Sequence, residues 1–476
     1  MQCDYVEHAP SPLLRGAKPP GVALVKHLFP GNGRRKLSNA QAVRLAVASM
    51  LAGLITGIVG GLFRMLLLAA DHIRGTFLGW IHGWPHIGWL GAIMMGLVCA
   101  SLARLMVVRL APEAEGSGLQ RVEAFYQDEI QPAGPMILPV KVFGGVLGIG
   151  SGLALGREGP TVQIGSSLAV MVSRLLGKDE EDTRVLEAAG AGAGLAVAFN
   201  APISGSIFVF EELTSSFTPV LLVTTLAAGS VAVWIMRAML GNQADFVVEN
   251  VAFTTSWKIY PFVLLGALMG IIGALYNGII IALLRFMDRS SRLTSIHRAA
   301  FVGATVGLLA WFAPSLVGGG DFLTQGVLLG RYSIEGLSVL FVLRFFLGPW
   351  SYAAGTPGGL FGPMLVLGAS FGAIFGHLMN QINPNHGISV IAFAVVGMGT
   401  LFSACVRAPL TGIVLTVEMT GRGDLTLALL SASLIAIVIT MLLNSQPIYE
   451  TLKQRLLERL ASATTVAPVR DDLATR

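Results

Sequence analysis

Glu158 is the residue in this chain whose surroundings ask most of it. It lies in Gly-Ser-Gly-Leu-Ala-Leu-Gly-Arg-Glu-Gly-Pro (150–160), between two long apolar stretches, each hydrophobic enough to sit inside a bilayer. An ionisable group at that depth is expensive and is read first as functional. Glycines surround it and Pro160 follows two positions later, the signature of a broken helix whose free backbone amides can face an anion. One segment thus offers a titratable carboxylate beside an anion site. The bland alternative is a polar residue in a short loop at the membrane surface, which the flanking apolar runs disfavour.

Other segments have parts of the same chemistry. Gly116-Ser117-Gly118-Leu119-Gln120 places a hydroxyl between glycines at a helix start, where it can donate to an anion alongside amides. On that pentapeptide alone an ordinary N-cap is the better reading. Gly355-Thr356-Pro357-Gly358-Gly359-Leu360-Phe361-Gly362-Pro363 is apolar, so any anion contact would come from the amides of Leu360 and Phe361; alone it reads as a Gly/Pro packing break. Tyr449 ends the last apolar run, where a belt tyrosine is the common role. Glu211 and Glu212 close another uncharged run, and one of them could accept protons from water. Glu418, the repeat counterpart of Glu211, warns that acids here can be structural.

The elements that must hold these residues are membrane helices. The 476 residues are 54% hydrophobic and 12% charged, with a mean hydropathy of +0.71, against roughly 25% charged residues in soluble domains. Leu45–Phe63, Ala188–Phe210, Leu213–Met236, Ile259–Leu284, Phe345–Gly376 and Leu425–Tyr449 are uncharged runs of membrane length. A polytopic all-α protein follows, not a β-barrel with its weak alternation. The net charge of +5 is not gathered on a soluble module, so nucleic acid is a poor partner. Arg15, Lys18, Lys26, Arg34, Arg35 and Lys36 at one end, and Lys453, Arg455, Arg459, Arg470 and Arg476 at the other, place both termini in the cytoplasm by the positive-inside rule. The segment before Leu37 lacks a signal-peptide apolar run. Cys99 and Cys405 lie in apolar runs, and no cysteine or histidine spacing suggests a metal or cofactor.

The chain repeats itself. Asn-Ala-Pro-Ile-Ser-Gly (200–205) resembles Arg-Ala-Pro-Leu-Thr-Gly (407–412), an offset of 207 (407 − 200), and Gly-Arg-Glu-Gly-Pro (156–160) resembles Gly-Leu-Phe-Gly-Pro (359–363), an offset of 203 (359 − 156). The expected organisation is a cytoplasmic segment 1–40, a first membrane repeat 41–235, a connection 236–258, a second repeat 259–450 and a cytoplasmic tail 451–476. Transporter repeats are commonly inverted, with the site where the halves meet. Parallel repeats would satisfy the termini equally.

Together, Gly116-Ser117-Gly118, Gly156-Arg157-Glu158-Gly159-Pro160, Gly359-Leu360-Phe361-Gly362-Pro363 and Tyr449 resemble the anion-site pattern of the CLC family of chloride channels and proton-coupled chloride transporters, over about residues 40–455. The resemblance implies an inverted-repeat bundle of tilted, partly spanning and broken helices, and a homodimer in a bacterial inner membrane with one pore per subunit. It implies hydroxyls of Ser117 and Tyr449 and amides of Leu360 and Phe361 around chloride, Glu158 as the outer gate and Glu212 as the inner proton acceptor. It also implies that Arg157 and the buried Lys141 raise the positive potential around the pore. Two departures stand out. Leu119-Gln120 replaces the family's usual Ile-Pro, which loosens the first turn, and no paired regulatory domain follows Tyr449. Ser117 argues for chloride over nitrate, and the second motif against the fluoride exporters. Chloride/proton antiport is the expected function, a passive glutamate-gated chloride channel the alternative, and a membrane-embedded enzyme a distant third, because no catalytic triad or phosphate loop supports one.

Overall fold

The computed structural model describes residues 39–242, 244–248, 259–289, 294–384 and 387–466, with side chains up to 462. The expected N-terminal segment and the end of the tail lie outside the described residues.

Helices α1 (Asn39–His82), α2 (Gly88–Leu110), α3 (Leu119–Tyr126), α4 (Ile137–Gly150), α5 (Glu158–Leu175), α6 (Glu180–Phe199), α7 (Pro202–Phe208) and α8 (Pro219–Leu240) form the first half. A wide π-turn, Val209–Leu213, follows α7. The second half runs α9 (Tyr260–Arg289), α10 (Ser295–Phe312), α11 (Asp321–Leu328), α12 (Ile334–Tyr352), α13 (Phe361–Ile382), α14 (Val390–Val406), α15 (Pro409–Thr420) and α16 (Thr426–Leu442), and α17 (Ile448–Val466) ends the described chain. Eight of the described helices are long and apolar enough to cross a membrane, and Leu62, Trp80, Leu275, Phe286 and Leu434 among many others turn outward as a lipid-facing surface requires. The sequence boundary at 235 falls inside α8. The tail expected from 451 is instead continuous with the helix that carries Tyr449.

Equivalent positions in the two halves adopt the same special backbone. Gly118 and Gly320 cap α3 and α11 with left-handed φ of 85° and 110°. Asn200 and Arg407 end α6 and α14 at φ 55° and 66°, and Pro202 and Pro409 then restart the chain as α7 and α15. A proline is at home in a first helical turn, where its missing N–H costs nothing. Three of the uncharged runs are therefore not single helices, Leu425–Tyr449 being broken over 443–447 between α16 and α17. Ala188–Phe210 breaks at Asn200-Ala201, and Phe345–Gly376 breaks over Ala353–Leu360; irregular backbone is tolerated there because it is buried in protein.

The repeats are inverted. A Cβ on Gly88 would meet the Trp311 ring, one on Gly96 the Gly303 carbonyl, and one on Gly307 the Ala92 carbonyl. Numbers rise along α2 while they fall along α10, so these equivalent helices run antiparallel. Small residues also let backbones touch elsewhere: Gly165 meets Gly190 between α5 and α6, and Gly368 meets Gly397 between α13 and α14. Without a hydrophobic drive between helices in lipid, this close packing is what holds them together. Gly303→Ala would place a Cβ 2.2 Å from the Gly96 carbonyl. A destabilisation of about 1–3 kcal/mol from overpacking is expected, read as a lowered unfolding midpoint in detergent, whereas Gly278→Ala, with nothing within 4 Å, leaves it in place.

Candidate functional site

The site forms where broken helices from both halves meet. Gly156 and Gly359 pair as an antiparallel bridge, with N–H to O distances of 2.8 and 2.7 Å. This fixes the start of α5 beside the start of α13. The first amides of each helix have no partner within it and carry partial positive charge. Both starts face inward: Glu158 is 1% exposed, and Leu360 and Phe361 are fully buried.

Glycines shape the seat of the Glu158 carboxylate. A Cβ on Gly156 would fall 1.8 Å from its Oε2, and one on Gly362 3.2 Å from its Oε1. The Gly362 amide donates to the carboxylate, and Oε2 has no protein partner. The acid therefore lies against the N-terminus of α13, the position that suits an anion. On one side it borders a cavity of about 460 Å³ lined by Arg64, Asp71, Arg157, Asp245, Asp321 and others.

Ser117 stands on the opposite side. A Cβ on Gly159 would lie 2.2 Å from the Ser117 Oγ, so this hydroxyl presses against the first turn of α5. Its Oγ and the Tyr449 hydroxyl are both buried and both lack a partner. Tyr449 lies in the first turn of α17 and stacks on Phe361 at 5.7 Å. Two orphaned hydroxyls that flank unpaired helix-start amides form a donor set for a partly dehydrated anion. Partial charges of this kind hold an ion without trapping it. The structure thus brings Ser117, Glu158, Leu360, Phe361 and Tyr449 together. Beyond Ser117, a second cavity of about 140 Å³ is lined by Glu113, Gly116, Gln120, Arg121, Tyr352 and Arg455, among others.

Lys141 and Arg157 are both held by contacts within the protein, and Arg157 also lines the cavity that borders Glu158. Lys141 is fully buried and donates to the Gly116 and Ser117 carbonyls at 2.8 and 3.2 Å. It holds the loop that presents Ser117. Arg157 donates to the Ala198 carbonyl at 3.0 Å and pairs with Asp321 at 2.5 Å and Asp245 at 3.3 Å. Those carboxylates neutralise much of its charge on the outer-cavity wall. The change to Leu119-Gln120 leaves α3 intact, with Gly118 as its cap.

Glu211 and Glu212 separate into two environments. Glu211 accepts from the amides of Leu410 and Thr411 at 3.0 and 2.7 Å and from the Thr411 hydroxyl at 2.8 Å. It therefore caps α15. Its repeat counterpart Glu418 caps α7 in return, accepting from Ile203 N at 3.2 Å, Ser204 N at 2.7 Å and Ser204 Oγ at 2.5 Å. Glu212, the next residue in the π-turn, makes no such cap and lies in the field of Glu123, Glu450 and Lys453. Glu211→Ala is expected to cost about 1–3 kcal/mol, because it leaves the amide and hydroxyl of the buried Thr411 without a partner. The measurement is the unfolding midpoint in detergent.

Sequence reasoning missed three participants. The Tyr352 hydroxyl lies 3.4 Å from the Ser117 amide. Lys453 donates to Glu123 at 2.6 Å, Gln127 at 3.0 Å and Glu450 at 3.0 Å, which ties α17 to α3. Burial pushes the Glu123 carboxyl above the ordinary range, with Lys453 acting against it. Burial opposes the charge on Lys453, but Glu123 and Glu450 more than offset this and raise its pKa. The one sequence signal was the basic start of the C-terminal stretch, which reads as solvated when taken alone.

Comparison with known proteins agrees with this arrangement. The family model described as voltage gated chloride channel matches residues 99–441. The chain is 37% identical over 424 residues to the H(+)/Cl(-) exchange transporter ClcA of Vibrio parahaemolyticus, covering 87% of this chain and 90% of that protein. It is 39% identical over 417 residues to the protein of the same name from Vibrio cholerae, covering 86% and 89%. The crystal structure of a slow cyanobacterial Cl-/H+ antiporter superposes with a TM-score of 0.84 at 31% identity, over 87% of this chain and 98% of that one. With the inverted halves, the paired helix starts and this coverage, the chain is a member of the voltage-gated chloride channel (CLC) family.

Proposed function

We propose that this protein exchanges chloride for protons across a lipid bilayer. The observation that carries the reading is the Glu158 carboxylate seated at the α13 amides between the outer cavity and the Ser117–Tyr449 hydroxyls. An ionised carboxylate competes with chloride for those amides; a protonated one releases them. Chloride and proton then exclude one another through a single side chain, and that exclusion is the coupling. Ser117 and Tyr449 donate hydroxyls and Leu360 and Phe361 donate amides to the ion. Lys141 and Arg157 hold the loops on either side. Glu212 hands protons between the inner solvent and Glu158. The names of the exchange transporters from the two Vibrio species and of the cyanobacterial antiporter support exchange over a passive channel.

The setting follows from the same family. We place the protein in a bacterial inner membrane with both termini in the cytoplasm, in keeping with the basic residues at each end. A homodimer is what the family resemblance implies, and Ile203 on α7 and Leu410 on α15 are the residues we assign to its interface. They are repeat equivalents (410 − 203 = 207), 52% and 56% exposed, on helices otherwise packed in the bundle. The test is reconstitution in liposomes with a chloride gradient. An exchanger drives proton movement against the proton gradient, and its absence alongside chloride flux would show a channel.

A further inference from the structure

α6 opens with Glu180, Glu181 and Asp182 in its first turn. Glu187 follows two turns into the bundle and is fully buried. Its Oε1 accepts from the Ser166 hydroxyl of α5 at 2.6 Å, and its Oε2 has no partner. One turn along α5, Gln163 donates through Nε2 to the Glu113 carbonyl at 3.1 Å, while its Oε1 is also without a partner. A Cβ on Gly118 would lie 2.0 Å from that Oε1, so Gln163 rests against the residue next to Ser117. These side chains line a cavity of about 20 Å³ together with Arg121, whose buried Nε is unpaired, and Gln131, which is exposed. A water needs roughly 10–15 Å³ and two to four polar partners. Room and partners for one are present, and Gln131 connects the cavity to solvent.

The charged group facing this cavity is Arg121 of α3. α5 contributes Ser166, Ser167 and Gln163, and α1 packs Leu45 and Ala48 near the neighbouring Leu186. Arg184 of α6 is engaged with Asp128 at 2.7 Å, and Arg237 of α8 with Asn200 at 2.7 Å. α3 is thus flanked by two acids, Glu212 on the side of α17 and Glu187 on the side of α5 and α6.

We infer that Glu187 is a second proton-carrying carboxylate, linking the solvent at Gln131 to the Ser117 loop through the water-sized cavity beside Gln163. A proton brought by solvent water binds Oε2, leaves it for the cavity water, and passes by way of the Ser117 loop to the Glu158 carboxylate, which is its acceptor. No bond other than O–H forms or breaks. The inference rests on the antiport reading above.

The experiment measures protons moved per chloride in liposomes for Glu187→Gln, Glu212→Gln and the double variant, with Glu158→Gln alongside. Each single inner variant is expected to lose part of the coupling and the double variant all of it. An unchanged ratio in Glu187→Gln, or a ratio already at background in Glu212→Gln, overturns the inference. Should Glu187→Gln fail to fold, Gln163→Met removes the polar partner of the cavity water and leaves the acid in place; it is expected to lower the ratio, and an unchanged ratio again overturns the inference. No chloride-driven proton movement in the unmodified protein would instead refute the antiport reading itself, and coupling retained in Glu158→Gln would refute only the role of Glu158, so the failures are distinct.

Discussion

Glu158→Gln is expected to bring chloride-driven proton movement down to the background of empty liposomes, with chloride flux continuing. Glutamine keeps the volume and one acceptor oxygen, so the glycine seat formed by Gly156 and Gly362 still holds it. What it loses is the ability to exchange a proton and to present an anionic form to the α13 amides. With no charged competitor, chloride no longer has to wait for protonation, and its flux becomes independent of pH on the Glu158 side. Simultaneous chloride-electrode and pH-electrode traces check this. Proton uptake that survives in the variant would remove Glu158 from the mechanism.

Gly159→Ala is expected to abolish chloride flux while the protein still folds. The added Cβ would stand 2.2 Å from the Ser117 Oγ and 2.9 Å from its Cα, closer than real contacts allow. Lys141 holds the Ser117 loop by two carbonyls, so the loop has little freedom to retreat. The methyl group therefore takes the space between the hydroxyl and the α5 amides, where the ion would be held. The same approach to the Ser117 backbone also costs stability by overpacking, so flux is measured on folded, reconstituted protein. Gly134→Ala, with nothing within 4 Å, is the matched control. Flux in Gly159→Ala near the level of that control would show that the ion passes elsewhere.

The parts of the site legible in the sequence are those marked by backbone chemistry. Glycine and proline around Ser117, Glu158 and Phe361 announce helix starts, and the doubled pattern shows that two such starts belong together. Tyr352 was not legible, since it ends an apolar helix like any belt tyrosine and acquires meaning only 3.4 Å from Ser117. Glu123 and Lys453 are 330 residues apart and meet only because α17 folds back on α3. Glu211 and Glu212 are adjacent identical letters; the π-turn and the start of α15 decide which one is a cap. The Ala188–Phe210 and Phe345–Gly376 runs looked continuous because a buried break needs no charge to mark it. Hydropathy cannot separate backbone that faces protein from backbone that faces lipid.

The crosswise caps bear on whether either half could stand alone. Each half contributes a carboxylate that finishes a helix in the other, Glu211 for α15 and Glu418 for α7. A lone half would leave its own acid and its own helix start idle at the same surface. Only a copy turned upside down supplies both, so each half completes the other's helix and neither is finished on its own.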